Sequence, residues 1–319
     1  MERIALIYVS YVMIRNKMGR FIIKSIAVTA LALCVGASPA LAQTASKPFF
    51  RDLLPDFSNY DHSKWGLIAG AGAYVSPNYT GDDAYRVRAL PFARASYGDN
   101  FWVSVPEGAN YRLYDKDGWT VTAKAEMAFP RGEDGKSFFA VSGSSTDDLL
   151  GLGDIKPSVE LGGALGYDAG PISFNGSVRQ GVGGHGALIG DASVSYRKIF
   201  KAGETPIAVF LTPNIKFGEA DLLQTYYGVT PEQSIGSGLP EYRTSGGIYS
   251  IGINTLAFVP TSEKSAFILY GSLRELSGDA KDAPLIQQRG SSTQAFAGVF
   301  WVRAFGQDAR RAKELVTGR

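Results

Sequence analysis

The sequence contains one cysteine and two histidines among 319 residues, and this scarcity excludes several kinds of chemistry. The cysteine, Cys34, lies in an N-terminal segment that we expect to be removed. The mature chain is therefore predicted to lack disulfides, a thiol nucleophile and thiolate metal sites. The histidines, His62 and His185, are too few for an ordinary zinc site without cysteine. We expect neither a metal site nor a cofactor.

The sequence also lacks a strong charge of one sign and a long apolar run. Its 32 basic and 30 acidic residues nearly balance, so nothing indicates a nucleic-acid partner. After residue 42, no stretch reaches the roughly 20 apolar residues that a transmembrane helix needs. Hydropathy alone would class the chain as water-soluble. However, a strand that alternates between lipid and a polar lumen also averages to neutral hydropathy.

The first 42 residues have the layout of a secretory signal peptide. A short basic segment follows Met18, an apolar run covers residues 25–36, and Ala40-Leu41-Ala42 forms a small-residue cleavage site. One interpretation of residues 1–17 is a misassigned start codon, with Met18 as the true start. The sequence therefore predicts export from the cytoplasm.

Alternation of apolar and polar residues is the main structural signal in the rest of the chain. In residues 172–180, ISFNGSVRQ, the apolar Ile172, Phe174 and Val178 share one face and the polar residues between them share the other. This period of two is typical of a half-buried strand. It recurs often enough to predict twelve strands: 65–75, 84–94, 101–105, 109–114, 119–127, 157–167, 172–180, 190–197, 207–218, 248–258, 265–276 and 293–305.

The connections between the predicted strands separate a membrane barrel from a soluble β-sandwich, which would show the same alternation. Connections after even-numbered strands are short turns, and those after odd-numbered strands are longer, except 106–108. All short turns and both termini then fall at one end of an up-and-down sheet, as in outer-membrane barrels. The sequence therefore predicts an all-β fold, a closed antiparallel transmembrane β-barrel of about 12 strands.

Several motifs resemble the MipA/OmpV family of outer-membrane barrels. The most specific is LQTYYGVTPEQ at 223–233, followed by SGLPEY at 237–242; others cover 70–83, 151–155 and 277–291. The resemblance extends over about residues 65–305. The residues that carry the outer-loop motif are Gln224, Tyr226, Tyr227, Gly228, Pro231, Gly238, Leu239, Pro240 and Tyr242.

The resemblance implies a location in the outer membrane of a Gram-negative bacterium, with periplasmic termini and with membrane lipid and lipopolysaccharide around the barrel. It also implies a non-enzymatic scaffold that joins a lytic transglycosylase to a murein synthase. Residues 43–64 would form a periplasmic segment before the barrel at 65–305. Family members usually end on an aromatic residue, whereas here Phe305 is followed by a polar tail at 306–319, expected in the periplasm.

Charged residues on the polar faces are predicted to point into the lumen, where they need partners or water. These candidates are Arg86, Arg88, Lys124, Glu126, Glu160, Arg179, Asp191, Arg197, Lys216 and Arg274. Twelve strands lie between barrels filled by side chains and barrels with water-filled channels, so a narrow solute channel remains an alternative. An adhesion or stress-related role is also open. A lipid hydrolase would need His185, which we interpret as an ordinary residue of an outer loop.

Overall fold

The computed structural model describes residues 65–105, 107–135, 140–142, 146–203 and 205–306. The predicted signal peptide, the segment 43–64 and all but the first residue of the tail 306–319 lie outside the described residues, as do Cys34 and His62.

The described chain forms one sheet of thirteen strands, and all twelve predicted strands are confirmed. The additional strand, β6, lies within the predicted connection 128–156. The strands are β1 (Trp65–Pro77), β2 (Tyr85–Tyr97), β3 (Phe101–Val105), β4 (Gly108–Lys116), β5 (Trp119–Ala128), β6 (Ala140–Ser142), β7 (Ser158–Ala169), β8 (Ile172–Gly183), β9 (Leu188–Ala202), β10 (Thr205–Gly218), β11 (Gly247–Ser262), β12 (Ser265–Leu276) and β13 (Thr293–Gly306).

The sheet closes because β1 pairs with β2 on one edge and with β13 on the other. Twelve antiparallel strands complete the ring, and β6 pairs with β2 at Val87 and Arg88, on the edge of β2 that the shorter β3 does not reach. A closed ring leaves no sheet edge exposed to hydrocarbon, where an unpaired backbone group costs several kcal/mol. The predicted closed antiparallel barrel is confirmed.

The connections separate by end, as the sequence predicted. Five turns of two or three residues, at 98–100, 117–118, 170–171, 203–204 and 263–264, lie at the end where β1 begins and β13 ends. We call this the short-turn end. The opposite, long-loop end carries 78–84, 129–135, 146–157, 219–246 and 277–292. The predicted loop 181–189 is wrong in extent, because β8 and β9 continue until only residues 184–187 connect them.

The outer surface of the barrel is apolar and carries aromatic side chains near the short-turn end. Trp65 packs against Tyr97 at 4.9 Å between ring centroids, and Trp119 packs against Tyr167 at 4.6 Å. Exposed aliphatic residues cover the wall between the two ends, among them Leu161, Leu165, Val178, Val194, Leu211, Ile253 and Leu273. An apolar band bordered by aromatic residues is the exterior of a transmembrane barrel.

The inner surface differs from the uniformly polar face that the sequence predicted. Inward-facing residues of β2–β5 and β7–β9 are largely polar. On β1 and β11–β13, most inward-facing residues away from the long-loop end form an apolar cluster: Ile68, Leu256, Ala266, Ile268, Tyr270, Phe296, Phe300, Val302 and Ala304, joined by Leu90 of β2. The ring of Phe300 occupies the space where a Cβ on Gly72 would lie. One half of the lumen is therefore filled like a protein core.

Four short helices lie in the described parts of the long connections at the long-loop end. They are α1 (Ala220–Tyr227), α2 (Pro231–Ser237), α3 (Asp279–Asp282) and α4 (Pro284–Arg289). Thr230 caps α2 through a reciprocal pair of bonds with Gln233, and Gly238 ends the helix in the left-handed conformation at φ 76°.

No helix in the described part of the chain is long and apolar enough to cross a membrane.

We expect Leu165→Arg to destabilise the barrel in lipid vesicles by about 2–4 kcal/mol, because Leu165 faces outward in the middle of β7 and a cation there enters hydrocarbon. Ile235→Arg is the matched control, since Ile235 is 89% exposed on α2. Its effect should stay within about 0.5 kcal/mol. Equal urea unfolding midpoints for the two variants would contradict a membrane-embedded outer face.

Candidate functional site in the capped lumen

Segments of the long-loop end fold together into a cap seated in the mouth of the barrel. The cap comprises residues 78–84, 146–155, 219–246 and 277–292. They share one buried apolar core with the ends of the wall strands: Tyr79, Leu149, Leu152, Ala187, Ile189, Leu222, Leu223, Tyr227, Val229, Leu239, Tyr249, Leu276, Ala280, Ala283, Leu285 and Ile286. Removing this much apolar surface from water stabilises the closed cap. The loop 219–246 therefore lies folded into the mouth.

The outer-loop motif of the sequence builds this cap. Gln224 donates to the carbonyl of Tyr242 at 3.2 Å and accepts from the backbone N–H of Thr244 at 3.0 Å. Tyr242 in turn donates its hydroxyl to the carbonyl of Asp279, which ties α1 to α3. Gly228 leaves room for the Gln224 side chain, which occupies the position of a Cβ.

The remaining motif residues have simpler roles in the cap. Tyr227 and Leu239 are core residues, Pro231 is the first residue of α2, and Gly238 and Pro240 are exposed. The contacts of these motif residues stabilise the folded conformation of the cap.

Burial shapes the electrostatics of the cap. The pKa of Asp82 is raised by burial, even though its Oδ1 accepts a bond from the N–H of Ala84 at 2.8 Å. Burial also raises the pKa of Tyr79 and Tyr226 and lowers that of Arg131, whose Nη1 donates to the carbonyl of Tyr226 at 3.1 Å. All four shifts favour the neutral form, as expected where water is excluded.

A buried ionic network lies directly beneath the cap, with Arg179 of β8 at its centre. The Arg179 Nε lies 2.9 Å from Glu160 Oε2 and 3.3 Å from Glu126 Oε2, and its Nη1 lies 3.0 Å from Asp191 Oδ1. Lys124 completes the network at 2.6 Å from Glu126. Three carboxylates from three strands thus surround one guanidinium that is only 2% exposed.

His185 is not the ordinary loop residue that the sequence suggested. It belongs to the short β8–β9 connection, yet it is 5% exposed and lies between the cap and the ionic network. Its Nδ1 accepts from the N–H of Ala187 at 3.2 Å, so a neutral ring carries its proton on Nε2, which faces Glu160 Oε1 at 3.3 Å. The ring also lies 6.3 Å from that of Tyr226. His185 therefore connects the cap to the network.

The other predicted lumen charges are buried with one exception. Arg88 donates to the carbonyls of Pro77 and Asn78 at 3.0 and 2.9 Å, and Arg86 donates to the Asn78 side chain. Lys216 and Arg274 lie near each other on β10 and β12, close enough for their charges to repel. Arg197 is only half-buried, near the short-turn end.

A second polar cluster lies on β2–β4 and was not predicted from the sequence. Trp102 is 2% exposed and lies between two arginines, with the guanidinium carbons of Arg94 and Arg112 at 5.3 and 5.5 Å from its ring centroid. Glu107, at the tip of the β3–β4 hairpin, accepts from the Ser104 hydroxyl at 3.0 Å. Arg94 is in phase with Arg86 and Arg88, and that signal could have identified it.

The arrangement closes the lumen at the long-loop end. Cap core and ionic network are nearly inaccessible to solvent, whereas the inward-facing Ser193, Ser195 and Thr212, nearer the short-turn end, are only half-buried. In the described part of the chain, no group of three or more His, Cys, Asp or Glu could hold a metal ion. Likewise, no hydroxyl group in this part donates to the His185 ring. The site holds charges in fixed positions beneath a dry lid.

A model of the family described as "MltA-interacting protein MipA" matches residues 69–305. No curated protein sequence matches the chain.

Among solved structures, the COG4313 outer membrane channel from Pseudomonas putida F1 is 11% identical with a TM-score of 0.40, over 78% of this chain and 99% of that one. The outer membrane protein OprD from Pseudomonas aeruginosa is 10% identical with a TM-score of 0.29, over 77% and 67%. OmpT of Vibrio cholerae is 9% identical with a TM-score of 0.28, over 78% and 100%. Likeness at this level says nothing about function.

We expect Arg179→Met to destabilise the barrel by about 3–5 kcal/mol, because three buried carboxylates would lose their shared cation. The same substitution at Arg197, which is half-buried, should cost about 1 kcal/mol or less. Urea unfolding of both variants in the same detergent measures the difference. If Arg179→Met unfolds at the wild-type midpoint, the network does not stabilise the fold.

Proposed function

Since the chain belongs to the MipA family of MltA-interacting proteins, we propose that it is a non-enzymatic outer-membrane barrel that docks murein-remodelling enzymes. The observation that carries this proposal is the closed lumen. The cap core fills the mouth, and the Arg179 network fills the space beneath it. A barrel with no open path acts through the surfaces at its two ends.

The short-turn end is the docking face in this proposal, and it faces the periplasm. Short turns of bacterial membrane barrels lie on the periplasmic side, and murein lies there too. The turns expose charges of both signs: Asp115, Lys116, Asp117, Lys201, Glu263 and Lys264. A polar, mixed-charge rim of this kind suits a reversible protein interface, in which charges set orientation and the rate of association. The partners are a lytic transglycosylase and a murein synthase.

Catalysis by the barrel itself receives little support from His185. The ring is buried, and both of its nitrogens already have neighbours in Ala187 and Glu160. A general base needs an open approach to the proton that it removes. His185 instead supports the cap.

We expect purified mature protein to capture both enzymes from the same bacterium. A short epitope inserted after Gly170, in a short turn, should abolish capture, whereas the same insertion after Gly153, at the long-loop end, should not. Both glycines are exposed, with open space where a Cβ would lie, so both insertions should fold. Antibody labelling of intact cells should reach only the Gly153 epitope. The docking proposal is rejected if the Gly170 insertion variant still captures the enzymes. It is also rejected if the wild-type protein captures neither enzyme.

A narrow solute channel is the second candidate, favoured only by the half-polar lumen. The cap core opposes it, and we expect no steady conductance from the wild-type protein in planar bilayers. Replacing residues 220–244, which include α1 and α2, by a short glycine linker removes much of the cap and should produce conductance. Ion-selective steps from the wild-type protein would instead favour the channel.

A further inference from the structure

Arg274 differs from the other buried arginines of the lumen in what surrounds it. It lies on the inner face of β12, two residues before the strand ends, and is 7% exposed. Its Nε and Nη2 are buried without a hydrogen-bond partner among the residues that the structure describes. By contrast, Arg179 contacts carboxylates and Arg88 donates to backbone carbonyls. Lys216 of β10 lies close enough to Arg274 for the two charges to interact, and Asp191 is opposite Lys216 in the sheet.

The two unpartnered atoms form a specific recognition surface. Nε–H and one Nη2–H of arginine point in the same direction and make two parallel bonds to the oxygens of a carboxylate or phosphate. A buried cation without an anion or acceptor carries a large desolvation cost. An anion at this edge of the guanidinium would therefore both fit its geometry and offset that cost.

Neighbouring polar groups on the same inner face share the lack of partners. In the sheet register, Asn214 of β10 and Arg274 flank Gly252 of β11, and Lys216 is opposite Ser250 in the adjacent row. Asn214 Oδ1 and Ser250 Oγ have no hydrogen-bond partner in the described structure. Four of the eleven such buried atoms thus belong to this one patch, which we call the Arg274 patch: Asn214, Ser250 and Arg274. The concentration indicates a site for a ligand.

The surroundings define how a ligand reaches the patch. Tyr227 and Tyr249 lie near Arg274 in the cap core, which closes the long-loop side. In the next row toward the short-turn end, Asn254 is buried, and Thr212 and Ser272 on either side of it are half-buried. The apolar cluster fills the lumen along β11–β13, whereas Ser193 and Ser195 of β9, beside β10, are half-buried. A solute would therefore reach the patch along the polar side of the lumen, past β9 and β10.

From these observations we infer that the Arg274 patch binds the carboxylate or phosphate group of a small solute. The Arg274 Nε and Nη2 donate to two of its oxygens, and Ser250 donates its hydroxyl. Asn214 accepts a hydrogen bond from a hydroxyl or amine of the same solute. This site is independent of the docking role; only the arrival of the solute from the periplasm rests on the proposed orientation.

The test measures stabilisation of the refolded mature protein by anions. Urea unfolding is followed at pH 7 and constant ionic strength with sodium acetate, sodium phosphate or sodium chloride. Chloride offers a single acceptor atom, so it cannot make the two parallel bonds that two oxygens of a carboxylate or phosphate make. We expect acetate or phosphate to raise the folded-to-unfolded ratio saturably, by about 100-fold at 100 times its Kd. The more effective anion identifies the bound group as carboxylate or phosphate.

Two variants test whether the stabilisation by anions arises at the Arg274 patch. Arg274→Gln should lose the anion response and should lose little stability in chloride, because it removes a cation that lacks a partner. Arg88→Gln is the matched control: it should be destabilised, since two bonds to carbonyls are lost, and should keep the anion response. Stabilisation no greater than in chloride, or a full response in Arg274→Gln, would overturn the inference.

A second measurement remains available if Arg274→Gln does not fold. Arg274→Lys keeps the positive charge but lacks the two parallel N–H groups of arginine. The Kd for the effective anion should therefore rise at least tenfold. In protein with ¹⁵N-labelled arginine, one Nε–H resonance should shift on addition of the effective anion and be missing in Arg274→Lys. If every arginine Nε–H resonance stays unchanged, the site is rejected.

Discussion

Backbone pairing around a ring without edges is the constraint on which the rest of this structure depends. Hydrocarbon offers no hydrogen-bond partner, so each strand must be bonded on both sides, and β1 completes the ring by pairing with β2 and β13. Closure divides side chains into an outer set in contact with lipid and an inner set with a small, enclosed volume. The outer set can be uniformly apolar. The inner set must fill space and also satisfy its own charges.

The lumen meets this second demand in two different ways. On β1 and β11–β13, aromatic and aliphatic side chains fill it as a core, with Phe300 against Gly72. On the remaining strands, arginines are held by carboxylates, by backbone carbonyls, or by stacking on Trp102. The cap then excludes water and strengthens these contacts, because the local dielectric falls. Arg274 departs from this pattern of satisfied charge, and it is there that we place a ligand.

Much of the fold could be predicted from periodicity, because lipid imposes a period of two on each strand that crosses it. All twelve wall strands and the short-turn end were found this way. The apolar character of half the lumen was not predicted. Strands such as 293–305 are apolar on both faces, so their alternation is weak and does not show what faces inward. The burial of His185 was not predicted either, because the four glycines around it in the sequence indicate only a loop. Its burial comes from Glu160 and Tyr226, which are 25 and 41 residues away in the chain.

The sequence alone determined the barrel, its strand number and the family, because these depend on local alternation, turn residues and contiguous motifs. Tertiary structure decided whether the lumen is open. Apolar residues of loops 219–246 and 277–292 could equally have faced outward, and only their fit against Tyr249, Leu276 and the strand ends shows that they close the mouth. The sequence also did not determine which charged residues are neighbours. Arg179 and Glu126, and likewise Arg274 and Lys216, come close together only when the sheet has formed. Distances across a lumen come from closure, and no single strand encodes them.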